Sequence, residues 1–256
     1  MSDFSGRSGA ALVVGGSGGI GRAIVRMLGE RGSAVVASYR SSAAKARQAV
    51  DEAVAYGVRG EALALDTGDD ASCAEVVERV VASYGGLHTL VYAAGPHVPM
   101  QHLSRVSPSS LEEQLAGDAG AFFRIAHASL PALRESQGSI VAVTTAATAR
   151  FPVRDGLSSA PKAAVEALVR GLAVEEGRFG VRVNAVGPGM LTDGMADTLI
   201  SSGELDERAL EITRGNIPLR RFGQAVDIAE AVCFLASDRA GFVSGQKLDV
   251  DGGYTA

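Results

Sequence analysis

Seven residues from Gly15 to Gly21 (GGSGGIG) follow an apolar run of strand length, and helical periodicity begins inside them. Glycines so placed let the backbone turn tightly, bring its N–H groups up to a pyrophosphate and pack the next helix against the strand. The run fits G-x-G-x-x-G as Gly16, Gly18 and Gly21, and G-x-x-x-G-x-G as Gly15, Gly19 and Gly21, with Ser17 and Ile20 inside the same cradle. Further on, the second apolar run ends in Tyr39, Arg40, Ser41 and Ser42. A carboxylate there would suit a free ribose 2′-hydroxyl, whereas the guanidinium of Arg40 and the hydroxyl of Ser41 suit a 2′-phosphate. The implied cofactor is NADP(H). Asp66, after the third run, stands either to meet an adenine amino group or to turn and cap the chain ahead of a helix beginning near Asp70. Later in the chain Lys162 follows Ser158 by four residues, placing a hydroxyl and an ammonium one helical turn apart.

The elements that must position these groups are legible from hydrophobic period. Strand-like runs span Ala10–Gly15, Ser33–Tyr39, Glu61–Asp66, Thr89–Ala94, Ser139–Thr145, Val181–Val186 and Gln246–Val250. Between them lie stretches of period near 3.6, at Ile20–Leu28, Ala43–Tyr56, Ala71–Tyr84, Leu111–Leu133, Ala163–Glu176 and Ala225–Ala236. Apolar strands alternating with helices imply an α/β fold: a doubly wound, Rossmann-type parallel sheet of about seven strands, covered on both faces. Its ligand belongs at the carboxyl ends of the strands, where strand order reverses.

With these pieces in place the chain, over about residues 8 to 254, resembles the short-chain dehydrogenase/reductase family, especially its 3-oxoacyl-reductase-like members. The resemblance rests on the glycine run, on Ala94-Gly95 ending strand four, on Asn184 with Pro188-Gly189 after strand six, and on Asp249–Gly253 (DVDGG). It implies cofactor contacts at Ala94, Gly95, Pro188, Gly189 and Thr192, and from Lys162 to the nicotinamide ribose. It also implies a relay in which a serine, a tyrosine, a lysine four residues later and an asparagine on the preceding long helix move a proton. Here Lys162 is kept, Thr145 stands in for the serine, Asp118 falls in the asparagine's place, and the tyrosine position holds Ser158.

The missing phenol matters because a tyrosine, with an ordinary pKa near 10, can be drawn towards working pH by a nearby ammonium. The aliphatic hydroxyl of Ser158 is shorter and cannot be drawn down so far, and a placed proton donor is worth about 10²- to 10⁴-fold. Ser158 is read either as a chemical group or, with Ser159, as an N-cap with Pro161 in the first turn. Thr145 either bonds a substrate oxygen or ends strand five as a satisfied hydroxyl. Asp118 either titrates or closes an ion pair with Lys162, the simpler expectation. His97, in the segment Gly95–His102 expected to overhang the nicotinamide, is the leading substitute donor. Arg150, Arg154 and Asp155 are candidates for charge recognition or acid–base work, or else are solvated loop residues. Tyr92 is expected to pack within strand four.

The net charge of -5 and pI near 5.4 argue against broad contact with a nucleic-acid backbone. No span approaches the ~20 apolar residues of a membrane helix. Met1–Ala10 lacks a secretory pattern, and Cys73 and Cys233 are isolated, buried-thiol candidates, so a cytoplasmic setting is expected. We expect one domain over 1–256 with a substrate lid at about 190–217, whose Met190, Leu191, Met195 and Leu199 give it an apolar underside. Val165, Leu168, Val169 and Leu172 are spaced for a helical seam between subunits, although burial against the chain's own sheet accounts for part of the same pattern; a homotetramer is expected, with a dimer second. Three functions remain open: a reductase acting on a small apolar or polyketide-like metabolite with its proton drawn from elsewhere, a non-redox catalyst on the same scaffold, or a non-enzymatic NADPH sensor or inactive partner.

Overall fold

The computed structural model describes residues 2–96, 98–192 and 207–256. Strands β1 (Ala10–Val14), β2 (Ala34–Tyr39), β3 (Gly60–Ala64), β4 (Leu87–Tyr92), β5 (Ser139–Val143), β6 (Arg182–Pro188) and β7 (Lys247–Val250) form one sheet in the order β3-β2-β1-β4-β5-β6-β7, with parallel neighbours throughout. Helices α1 (Gly19–Glu30), α2 (Ala43–Val54), α3 (Asp70–Tyr84), α4 (Pro108–Leu115), α5 (Ala121–Ser136), α6 (Gly156–Glu176), α7 (Glu207–Asn216) and α8 (Ala225–Ala236) connect them. The expected doubly wound sheet is what the chain forms.

Strands β1, β4 and β5 are buried along their whole length, which is why their sequences are apolar on both faces. Leu12, Val14, Leu90, Tyr92 and Ile140 face one layer with Val76, Phe122, Ile125 and Val165. Ala11, Val13, Val91 and Val141 face the other with Ile24, Leu28, Val50 and Ile228. Strand order reverses between β1 and β4, so the chain leaves these two strands in opposite directions and opens a crevice beyond their carboxyl ends.

Two helices differ from expectation in ways that shape the site. The long helix before β5 is interrupted at Ala116–Gly120 by a π turn, which widens the coil by one residue between α4 and α5. Helix α6 begins at Gly156, well before Ala163, and its N-cap is Asp155. Ser158 and Ser159 are therefore not caps: both lie inside the first turn, and Pro161 sits inside the helix rather than in its first turn. The capping expectation fails because the helical face extends back through Leu157, which is buried, to Gly156.

Of the two readings of the α6 stripe, burial against the chain's own sheet accounts for these residues. Val165, Val169 and Leu172 are buried against the chain's own sheet, with Leu168 packed beside them. The large apolar residue that α6 exposes is Val174, at 83%. Among the described residues no helix is long and apolar enough to cross a membrane. Cys73 and Cys233 are buried free thiols, and burial raises them to about 11 and about 12.

Candidate active site

The crevice is built first by glycine. Gly15 is left-handed at φ +83, and a Cβ there would approach the Ala93 carbonyl oxygen to 2.8 Å. A Cβ on Gly16 would stand 2.7 Å from that of Ala37, and one on Gly21 would overlap the Gly15 carbonyl oxygen. Gly18 has room, its nearest neighbour lying 3.5 Å away. Positions 15, 16 and 21 thus require glycine on steric grounds, and each of the two sequence templates contains two of them.

Helix α1 starts at Gly19 behind Gly18, with no side-chain cap and no acidic residue in its first turn. Its leading N–H groups and positive dipole end are therefore left for an anion. Ser17 and Ile20 are half-buried in this turn, Ile20 packing on the core below. Arg40 and Ser41 are exposed just past β2. A tight cradle ending in an uncapped helix, with an exposed guanidinium one strand over, fits a phosphorylated dinucleotide.

Asp66 turns the chain with one carboxylate oxygen. Its Oδ1 accepts the Gly68 N–H at 2.9 Å, while α3 is capped by Asp69, which accepts from Ala71 and Ser72. Pro188 ends β6 and Gly189 follows it; a Cβ on Gly189 would meet Asp251 at 2.7 Å. Thr192 is exposed, and its N–H donates to the Gly223 carbonyl at 2.9 Å. Asn184 is structural: its amide donates to the Val243 carbonyl at 2.8 Å and accepts the Gln246 N–H at 3.0 Å. Asp251 of the DVDGG run accepts the N–H groups of Gly253 and Thr255, shaping the chain after β7.

On the far side of the crevice the ends of β4 and β5, the π turn and α6 converge on one ammonium. Lys162 Nζ donates to Asp118 Oδ1 at 3.0 Å, to the Val143 carbonyl at 3.2 Å and to the Ala94 carbonyl at 3.3 Å. An ammonium has three hydrogens, and all three are engaged. Gly95 lies beside this group, and a Cβ there would come within 3.6 Å of Nζ.

Tyr92 lies beneath, its ring centroid 5.5 Å from Nζ. It is fully buried, and its hydroxyl donates to the Asp118 carbonyl at 3.2 Å. Burial, reinforced by Asp118, holds the phenol protonated well above its ordinary range. Packing is its role, and its hydroxyl is committed to a backbone carbonyl.

Ser158 is half-buried one turn before Lys162, its N–H donating to the Asp155 carbonyl at 3.1 Å. Thr145 caps the short turn Ala146–Thr148, its Oγ1 accepting the Ala147 N–H at 3.2 Å. That leaves its hydroxyl hydrogen for another acceptor. Arg150 is tied down: its ring-facing guanidinium lies 4.4 Å from the Tyr254 centroid and donates to the Tyr254 carbonyl at 2.7 Å. Leu191 turns into the core and bridges to Gly223, so it does not serve as lid underside. His97, and Met195 and Leu199 with half of the expected lid, lie outside the described residues.

One residue was underrated by sequence reasoning. Asp155 is a half-buried carboxyl at the mouth of α6, raised above its ordinary range by desolvation, with the Ser159 hydrogen bond acting against the shift. The signal was present: an Asp immediately before Gly156 and the buried Leu157 is a helix-start pattern.

Comparison with known proteins agrees with this geometry. A family model described as enoyl-(acyl carrier protein) reductase matches residues 14–255. The chain is 36% identical over 247 residues to the 3-oxoacyl-(acyl-carrier-protein) reductase FabG of Staphylococcus aureus, covering 95% of this chain and 97% of the relative. Versicolorin reductase stcU of Emericella nidulans is 33% identical over 249 residues, covering 95% and 94%. A short chain dehydrogenase from Burkholderia cenocepacia, solved in complex with NADP, superposes with a TM-score of 0.88 at 30% identity, covering 98% and 99%. The chain belongs to the short-chain dehydrogenase/reductase family.

Proposed function

We propose that this oxidoreductase uses NADPH to reduce an activated C=C, C=N or C=O bond in a small apolar or polyketide-like metabolite, with an altered proton-donor site. The amides around Gly15, Ser17, Gly19, Ile20 and Gly21 would hold the pyrophosphate, Arg40 and Ser41 the 2′-phosphate, and Asp66 the adenine edge. Ala94, Gly95, Pro188, Gly189 and Thr192 would border the nicotinamide half. When bound, NADPH supplies the hydride. The Burkholderia relative solved with NADP supports this cofactor, as do the glycine cradle and the exposed Arg40.

The observation that carries the reading is the engagement of Lys162. Its three hydrogens go to Asp118, Ala94 and Val143, so any contact with ribose hydroxyls must share one of them. Beside it stands Ser158, an alcohol with no phenol's acidity, and the nearby Tyr92 is buried and spent. Unassisted ketone reduction needs a proton at the oxygen as the hydride arrives, and loses about 10²- to 10⁴-fold without a placed donor. A conjugated C=C bond tolerates the loss better, because an enolate can await its proton, and an iminium carbon needs none. Thr145, with its hydroxyl hydrogen free, would orient the substrate oxygen.

The same reading takes residues 1–256 as one domain with a lid at about 190–217, assembled as a homotetramer in the cytoplasm. Exposed Val174 on α6 and Phe123 on α5 support a subunit contact, and two buried free thiols support a reducing compartment. The test is to mix purified protein and NADPH with a ketone, an enone and an imine and follow the absorbance of the reduced cofactor. Turnover of the enone or imine ahead of the ketone is expected. Tight NADPH binding with no turnover of any would overturn the reading in favour of a non-redox catalyst or a sensor.

A further inference from the structure

We propose that Asp155 is the acid that delivers the proton Ser158 cannot, an inference that rests on the reductase reading above. Asp155 occupies the N-cap position of α6 without capping it, for its side chain takes none of the first-turn N–H groups. Its Oδ2 instead accepts the Ser159 hydroxyl at 2.8 Å. The carboxyl is thus half-buried with one neutral donor, and no ion pair holds it in the charged form among the described residues. Burial favours its neutral form.

Its placement is built by two loops. Arg154, just before it, is left-handed at φ +72, a conformation strained for a non-glycine residue. The Arg154 carbonyl accepts the Gln101 N–H at 3.0 Å, and Gln101 runs parallel to Asp155 in an isolated bridge. The segment after β4 and the segment after β5 are therefore joined at this carboxyl, on the side of the sheet where the crevice opens. Along α6, residues seven apart share a face, so Asp155, Ser159, Lys162 and Glu166 form one polar stripe, with Ser158 one turn from Asp155. The bridge to Gln101 and the hydrogen bond from Ser159 hold this uncapping carboxyl two helical turns ahead of Lys162, on the same face of α6.

The charged groups around it leave this acid free. Arg154 on its own segment, and His102 and Arg105 on the facing segment, are exposed and form no ion pair with it. Lys162, two turns further in, is committed to Asp118. An apolar substrate seated in the crevice would withdraw more water and favour the neutral acid further. In the reaction the substrate's electrophilic carbon accepts a hydride from NADPH, which is oxidised, and the π electrons move to the far atom of the polarised system. The Asp155 O–H bond breaks as its proton passes to that atom, and water reprotonates the carboxylate.

Two measurements test this on the whole chain. Carboxyl NMR of protein labelled at its aspartate carbons, compared with Asp155→Asn, identifies the Asp155 resonance; its titration midpoint is expected above those of exposed aspartates. With NADPH and a simple ketone, whose oxygen must take its proton as the hydride arrives, Asp155→Asn is expected to lower kcat by about 10²-fold or more while the NADPH Kd is unchanged, and the wild-type rate is expected to rise towards acid pH; a wild type that reduces the enone but not the ketone overturns the role. A resonance that titrates with the exposed aspartates overturns the proposal, as does a kcat within about threefold of wild type in Asp155→Asn. A wild-type chain inert towards ketone, enone and imine overturns the reductase reading and this role with it. An active enzyme indifferent to Asp155→Asn overturns the role alone.

Discussion

Asp118 holds Lys162 at 3.0 Å on the floor of the crevice, and the two side chains are only 5% and 13% exposed. Removing one partner of such a pair strands the other charge away from water, at a cost on the order of 3 kcal/mol. Asp118→Ala should therefore lower the free energy of unfolding in urea by about that amount. Asp118→Asn, which keeps an oxygen acceptor, should cost less, and the double variant Asp118→Leu/Lys162→Met should recover much of the loss.

Restoring the phenol should restore ordinary carbonyl chemistry. Ser158→Tyr places an acidic hydroxyl one turn from the ammonium, and kcat/KM for a simple ketone should rise by about 10²-fold or more in the absorbance assay. The NADPH Kd should stay as it is, because Ser158 does not border the glycine cradle.

Arg40 is exposed beyond β2 with no acid beside it in the chain. A charge-assisted bond from guanidinium to phosphate is worth about 1.5–3 kcal/mol, so Arg40→Ala should weaken NADPH by roughly 10- to 100-fold. Affinity for NADH, which lacks the phosphate, should scarcely change. Fluorescence titration of the two reduced cofactors measures both.

The two sequence templates for the glycine run make separable demands. Gly21→Ala pushes a methyl into the Gly15 carbonyl oxygen and should abolish cofactor binding, whereas Gly18→Ala, with 3.5 Å of clearance, should bind nearly as wild type. Isothermal titration with NADPH separates them.

His88 sets an acid limit on stability. It is buried between the hydroxyls of Ser33 and Thr89, and desolvation, with Arg7 adding to it, pushes the imidazole from 6.5 down to about 4. The unfolded chain therefore binds the proton first. Stability is complete above pH 6.5 and falls as pH drops towards 4, by about 3 kcal/mol in all from this residue. Tm measured across that window should decline in the wild type, and less steeply in His88→Leu.

Much of this architecture is written in the chain, for reasons that differ by element. The strand at Ala10–Val14 is apolar on both faces because helices cover both, and the glycine run is dictated by atoms that leave no room for Cβ. Other features carry no such mark. The acceptors that engage Lys162 are partly backbone carbonyls, of Ala94 and Val143, which any residue could supply. The start of α6 was obscured by Pro161, which usually signals a first turn but here sits deeper. Val165, Val169 and Leu172 show a stripe that looks the same whether it faces the chain's own sheet or a partner's helix.

The π turn at Ala116–Gly120 holds one residue more than a regular coil. Excising Gly117 would let α4 and α5 run on as an ordinary helix, which the fold could absorb. The same excision would swing the carboxylate of Asp118 by about 100° around the axis and leave the lysine facing two carbonyls. A single surplus peptide unit therefore divides what the scaffold requires from what the chemistry requires.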